Sequence, residues 1–204
     1  SDIRLGSAVV VIGLGVLGLT TLSMAELAGA RTVAVSDSKA LRFAAAGMGA
    51  EQTAGRETAE SLVRHTFGDG LAHVVIVTTN SWADWQLALR LTGKQGCILV
   101  LGFPGRDGAA PETNPLNSQY FYDRQIRIVA AGISPAYPDD QGFTPFNQQE
   151  NLFRILNWIR RDKIRPKSIV SGSMPAHQVE SVYQRLLSKD GKSITYLLDW
   201  RKND

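Results

Sequence analysis

Five short apolar runs, rich in β-branched residues, recur along the chain, and the apolar period between them changes from that of a strand to that of a helix. The runs are residues 9–12 (VVVI), 32–36 (TVAVS), 73–78 (HVVIVT), 97–101 (CILVL) and 126–131 (IRIVAA). Between them, residues 16–28, 40–48, 57–66 and 83–91 read as helices. On the first of these, Leu17, Thr20, Met24 and Ala28 fall on one face beside Thr21 and Ala25, and Gly29 supplies the stop. Continuous apolar strands alternating with helices predict a parallel sheet covered on both faces. Right-handed crossovers then wind it in two directions, an α/β doubly wound fold of the Rossmann type.

The first run ends in GLGVLG. Gly13, Gly15 and Gly18 form G-x-G-x-x-G after a strand and before a helix, and Asp37 follows Gly18 by 19 positions at the end of the second strand. Each residue has a physical task in a dinucleotide site. Gly13 permits a sharp turn, Gly15 lets a pyrophosphate approach the main chain, and Gly18 lets the helix pack on the strand. The helix N-terminus at Val16 offers unpaired N–H groups to the phosphates. A carboxylate at Asp37 suits the ribose diol of NAD and repels the 2′-phosphate of NADP. If Ser36 faced the ribose instead, Lys39 and Arg42 would be placed to hold that phosphate, so NADP stays as the lesser alternative. The blander alternative is a turn whose glycines serve packing only, with Asp37 solvated.

Composition narrows the classes. The 204 residues are 44% apolar and 20% charged, with a net charge of +3, an ordinary globular balance. No run of five like charges marks a nucleic-acid or membrane-surface partner. No apolar stretch approaches the ~18 residues of a bilayer span. Cys97 is the single cysteine, which rules out an internal disulfide or a cysteine-based zinc cluster and suits a reducing, cytoplasmic setting. His65, His73 and His177 are scattered. No catalytic set and no metal site assembles from these residues.

After Ser134 the texture changes. Residues 134–147 (SPAYPDDQGFTPFN) read as a loop. A helix over 149–161 aligns Leu152, Ile155, Leu156 and Ile159, and a strand over 168–171 follows. A helix over 178–187 aligns Val179, Val182, Tyr183 and Leu186, and a strand closes at 195–199. The expected division is a dinucleotide-binding domain over 1–134 and a C-terminal extension over 135–204.

The segments 6–37, 47–51 (GMGAE), 74–105 and 177–200 resemble, in order, the cofactor-binding portion of the medium-chain dehydrogenase/reductase superfamily, the zinc-type alcohol and polyol dehydrogenases. The resemblance implies that Gly13, Leu14, Gly15, Val16, Leu17 and Gly18 hold the pyrophosphate. It implies that Asp37 takes the adenosine ribose with Arg42 nearby, and that Thr78 and Thr79 line the adenosine side. Gly102 and Phe103 would lie by the nicotinamide, and Gly132 to Ser134 by its carboxamide. Members carry catalytic zinc ligands or proton-relay groups in an N-terminal domain. The expectation is therefore a fragment that binds NAD but does not turn over alone, with zinc possible only in that missing domain.

The implied reaction is hydride transfer between an alcohol or carbonyl substrate and the nicotinamide. Two rivals remain: a nucleotide-sensing module without chemistry, and an NADP-dependent zinc-free enoyl or quinone reductase of the same superfamily. The resemblance also implies a homodimer through the edge strand 126–131, which lacks a proline or an inward charge. The adjoining SQYFYDRQ (118–125) fits either that interface or internal packing.

Overall fold

The computed structural model describes residues 3–68, 70–102, 111, 114, 116–132, 134–136, 147–188 and 193–201. Its main sheet is built from β1 (Ala8–Ile12), β2 (Arg31–Val35), β3 (Gln52–Ala54), β4 (Ala72–Val77), β5 (Thr92–Val100) and β6 (Arg127–Ala130). The spatial order is β3-β2-β1-β4-β5-β6 and every pairing is parallel. The doubly wound reading holds. The order reverses direction between β1 and β4, and ligands of open α/β sheets bind at the carboxyl ends of strands at such a point.

Strand alternation decides the two faces. Val10, Ile12, Val33, Val35, Val75, Val77 and Ile98 pack on one side with Ala59 and Val63 of α3 (Ala59–Thr66) and Ala88 and Leu91 of α4 (Trp82–Leu91). Val9, Val11, Ala34, Val74, Ile76 and Cys97 face the other side, against Leu19 and Leu22 of α1 (Val16–Leu27) and Ala45 of α2 (Lys39–Gly47). Val9 to Ile12 are wholly buried, and each such side chain contributes roughly 1.5–3 kcal/mol of apolar transfer. β1 is therefore fixed in height as well as in register, and so is the turn that leaves it.

Several elements differ from expectation. On α1 the buried residues are Gly18, Leu19, Leu22, Ser23 and Ala25, whereas Leu17 and Ala28 are exposed. The helix is turned because Gly18 must sit on β1, which rotates Leu17 outward. The short β3 was not anticipated; it pairs only over Gln52–Ala54, and just Ala54 is buried. α3 begins at Ala59 rather than at residue 57. Residues 118–122 form a π-helical turn, Ser118–Tyr122, whose Tyr120 and Phe121 pack against the core beside α4.

The C-terminal part has α5 (Gln148–Arg160), a 3-10 turn (Pro166–Ile169), β7 (Val170–Pro175), α6 (Val179–Leu187) and β8 (Thr195–Asp199). β7 and β8 pair in parallel as a separate two-stranded sheet. β7 starts two residues later than expected, because Pro166 at the head of the 3-10 turn holds residues 166–169 in a tight coil. Ile169 reaches the main core from that turn. On α6 only Val182 is buried, and Tyr183 and Leu187 are exposed, as are Leu152, Phe153 and Leu156 on α5.

Candidate functional site

The site grows from the end of β1. Gly13 has φ of +90°, and a Cβ there would press on Thr79 Cγ2 and Thr78 Oγ1. Both its backbone and its packing therefore require glycine. A Cβ on Gly18 would run into the Gly13 carbonyl, so the helix can start this close to the strand only without a side chain. Gly15 is different. Its φ is −73°, open to any residue, and a Cβ there meets no protein atom within 4 Å. Nothing in the protein's own packing calls for glycine at that position.

Gly15 is also the N-cap of α1. It has no side chain to cap the helix, and the first turn carries no acidic residue. The first N–H groups of a helix have no intrahelical acceptor. Here they meet a hollow of about 450 Å³ lined by Gly13 to Gly18, Ser36, Leu41, Arg56, Thr78 and Thr79. Leu14 is buried in the core while Val16 and Leu17 are exposed at the rim. The arrangement offers main-chain donors and a positive helix end to an anion.

Thr78 and Thr79 define the floor. The Thr78 hydroxyl donates toward the carbonyls of Ile12 (3.1 Å) and Gly13 (3.0 Å), which braces the turn. The Thr79 hydroxyl donates to Asp84 Oδ2 at 2.6 Å. Asp84, in the first turn of α4, is wholly buried. Its carboxylate also accepts two bonds from Arg56, from Nε to Oδ1 (2.6 Å) and from Nη2 to Oδ2 (2.9 Å). Arg56 then reaches outward. Its Nη1 donates to Asp37 Oδ2 at 2.7 Å, and its backbone N–H donates to Asp37 Oδ1 at 2.9 Å.

Asp37 is thus held, not loose. Its side chain is 63% exposed, at the carboxyl end of β2, where Ser36 is buried. The backbone N–H of Arg56, followed by its guanidinium, keeps the Asp37 carboxyl below the usual carboxylate range. The Arg56 guanidinium is pushed further up in turn, chiefly by its bond to Asp84. Arg42 lies beside this pair and its Nη1 donates to the Ser36 carbonyl. A Cβ on Gly55 would sit 3.5 Å from Asp37 Oδ1 and 3.9 Å from Arg42 Nη1, so the two charged groups converge there.

The structure therefore brings together Gly13 to Gly18, Thr78 and Thr79 around one hollow, with Asp37 and Arg42 beside it. Gly102 packs against this group, since a Cβ on it would strike the Thr79 carbonyl. Gly102 and Gly132 face a second, apolar hollow of about 440 Å³ with Trp85, Val100, Leu101 and Ile128. Phe103 and Ile133 lie outside the described residues.

Sequence reasoning missed Arg56 and Asp84. Asp84 carried a readable signal: it precedes Leu87, Ala88 and Leu91 at helical spacing, so it lies on the buried face and needs a partner. Arg56 carried none, because it follows a three-residue strand with no apolar run to announce it.

A parallel six-stranded sheet with a glycine turn at its direction reversal defines the Rossmann-like α/β class. The sequence model described as "Zinc-binding dehydrogenase" matches residues 16–139, more than half of the chain. The chain belongs to this zinc-binding dehydrogenase family. Among curated proteins it is 23% identical over 187 residues to the aldehyde reductase YahK of Escherichia coli strain K12, covering 92% of this chain and 47% of that protein. Its fold is that of the alcohol dehydrogenase TADH from Thermus sp. ATN1, with a TM-score of 0.75 and 19% identity over 97% of this chain and 52% of that one. The 2R,3R-butanediol dehydrogenase of Bacillus subtilis gives a TM-score of 0.76 at 15% identity, over 97% and 52%. The chain spans about half the length of the relatives it matches.

Among the described residues no group of three His, Cys, Asp or Glu could hold a metal ion, so zinc finds no ligand set there. No helix among them is long and apolar enough to cross a membrane.

Proposed function

We propose that this chain is the nicotinamide-dinucleotide-binding portion of an oxidoreductase acting on an alcohol or carbonyl substrate, with NAD as its main cofactor. The observation that carries the reading is Gly15. The protein leaves a side-chain-sized space beside an uncapped helix end, although neither its backbone angle nor its packing demands it. A pyrophosphate fits that space, with main-chain N–H groups of α1 as donors.

The residues divide the work. Gly13 and Gly18 set the height of the turn, Thr78 braces it, and Asp37 accepts the adenosine ribose hydroxyls. Each Asp37 oxygen takes one donor from Arg56, and a carboxylate oxygen has a second lone pair for a hydroxyl. Gly102 and Gly132 border the apolar hollow proposed for the nicotinamide end, where exclusion of water favours hydride chemistry. The nicotinamide supplies the hydride acceptor, and the chain supplies binding and orientation.

Substrate and proton-transfer groups are proposed to come from elsewhere in the enzyme, since its relatives are about twice as long. The division at residues 134/135 belongs to the same proposal, as does a cytoplasmic setting for a chain whose one cysteine is buried and free. A homodimer is proposed through β6, an edge strand of the sheet with Val129 exposed.

Equilibrium titration with NADH tests the reading. The full chain is expected to quench or shift the dinucleotide fluorescence saturably, and Gly15→Val to abolish this while leaving the far-ultraviolet circular dichroism unchanged. Retained binding in that variant would refute the placement of the pyrophosphate.

A further inference from the structure

We propose that Arg56 sets the nucleotide preference of this site, and that because of it the site takes dinucleotides with either a free or a phosphorylated adenosine 2′-oxygen. The inference rests on the dinucleotide reading above. A carboxylate at the end of the second strand selects the ribose diol, and an arginine nearby accommodates the 2′-phosphate. In this chain both devices are present and bonded to each other: Asp37 accepts from the backbone N–H and the guanidinium of Arg56.

The charge count changes the usual consequence of an acidic residue here. Two carboxylates, Asp37 and Asp84, face two guanidiniums, Arg56 and Arg42. A 2′-phosphate would therefore meet a balanced cluster instead of a lone anion. Position matters as much as charge. Arg56 lines the same hollow as the glycine turn and its side chain is 36% exposed, so it is reachable from the nucleotide. It is anchored from behind by the two bonds to wholly buried Asp84, which the Thr79 hydroxyl also holds.

That anchor leaves the outer end of the fork free to exchange one acceptor for another. With a diol in place, Nη1 stays on Asp37 and keeps the carboxylate oriented. With a 2′-phosphate in place, Nη1 donates to a phosphate oxygen while Nε and Nη2 remain on Asp84. No covalent step is involved; one charge-assisted hydrogen bond replaces another.

The test is equilibrium titration of the full chain with NADH and with NADPH, in parallel on four proteins: the wild type, Asp37→Asn, Arg56→Lys and a double variant. Asp37→Asn alters an exposed side chain and so spares the fold. Arg56→Gln combined with Asp84→Asn replaces the buried ion pair by a neutral, hydrogen-bonding pair. The wild-type chain is expected to bind both dinucleotides within about tenfold of each other. The double variant should lose about tenfold or more for NADPH and less than about threefold for NADH, the size expected for one hydrogen bond to a charged group. Asp37→Asn should weaken NADH and tighten NADPH, and Arg56→Lys should keep part of the NADPH affinity.

Rejection of NADPH by the wild-type chain by more than about a hundredfold would overturn the proposal. Equal losses for both dinucleotides in the folded double variant would also overturn it, since Arg56 would then be structural only. If the wild-type chain binds neither, the dinucleotide reading itself fails, and this outcome is distinct from the other two.

Discussion

Arg56 and Asp84 are joined through two parallel hydrogen bonds, 2.6 Å and 2.9 Å long, between a partly exposed guanidinium and a carboxylate that no solvent reaches. The pair is asymmetric, and its asymmetry is measurable. Removing the cation strands a buried anion, which costs about 3–5 kcal/mol. Removing the anion leaves a guanidinium that can turn to water. Arg56→Met should therefore destabilise the chain more than Asp84→Asn, and Arg56→Gln with Asp84→Asn should recover part of the loss. Urea unfolding of the three variants gives the order directly.

The two ends of the glycine turn should respond oppositely to one added methyl. Gly13→Ala forces a positive φ and a clash with both threonines, and should cost about 1–3 kcal/mol of stability. Gly15→Ala meets empty space at an ordinary backbone angle and should change stability by less than about 0.5 kcal/mol. Dinucleotide affinity should nevertheless fall in Gly15→Ala, which paired melting and titration experiments will separate.

Asp37 makes stability depend on pH in a defined direction. Its carboxyl is lowered in the folded chain by Arg56. A lowered folded value means that the contribution is fully present above the unfolded value, about 3.9, and is lost as pH falls from there through the folded one. Asp37→Asn should flatten the stability profile below about pH 4, where the wild-type curve declines. The effect should be small, because the side chain is largely exposed and water screens it.

Val129 tests the edge. It is 39% exposed on β6, and a lysine on an edge strand opposes pairing with another chain. If β6 pairs with its copy, Val129→Lys should convert a dimer to a monomer in multi-angle light scattering without lowering the melting temperature of the monomer.

The apolar runs made the sheet legible: β1, β2 and β4 are buried along almost their whole length and so read as continuous apolar stretches. β5 shows the same signal only in its second half, and β6, an edge strand with no buried residue, is legible from its β-branched residues alone. β3 lacked the signal because only Ala54 of its three residues is buried. The glycine turn was legible through spacing, while the face of α1 was not. Its apolar residues surround the helix, and the contact of Gly18 with Gly13, invisible in a hydropathy pattern, chooses among the faces. At the site Asp37 was found by distance along the chain. Its partner Arg56 was not, since a guanidinium that bridges two carboxylates from different strands and helices leaves no local period to read.

Thr79 meets three neighbours with three different parts of itself: its methyl with Gly13, its carbonyl with Gly102 and its hydroxyl with Asp84. The glycine-turn hollow, which Thr79 lines, and the apolar one, which Gly102 lines, thereby adjoin through the contact of these two residues. A chain built in this way cannot retune one end of its cleft in isolation, because any replacement at this junction moves both walls and the acidic anchor together.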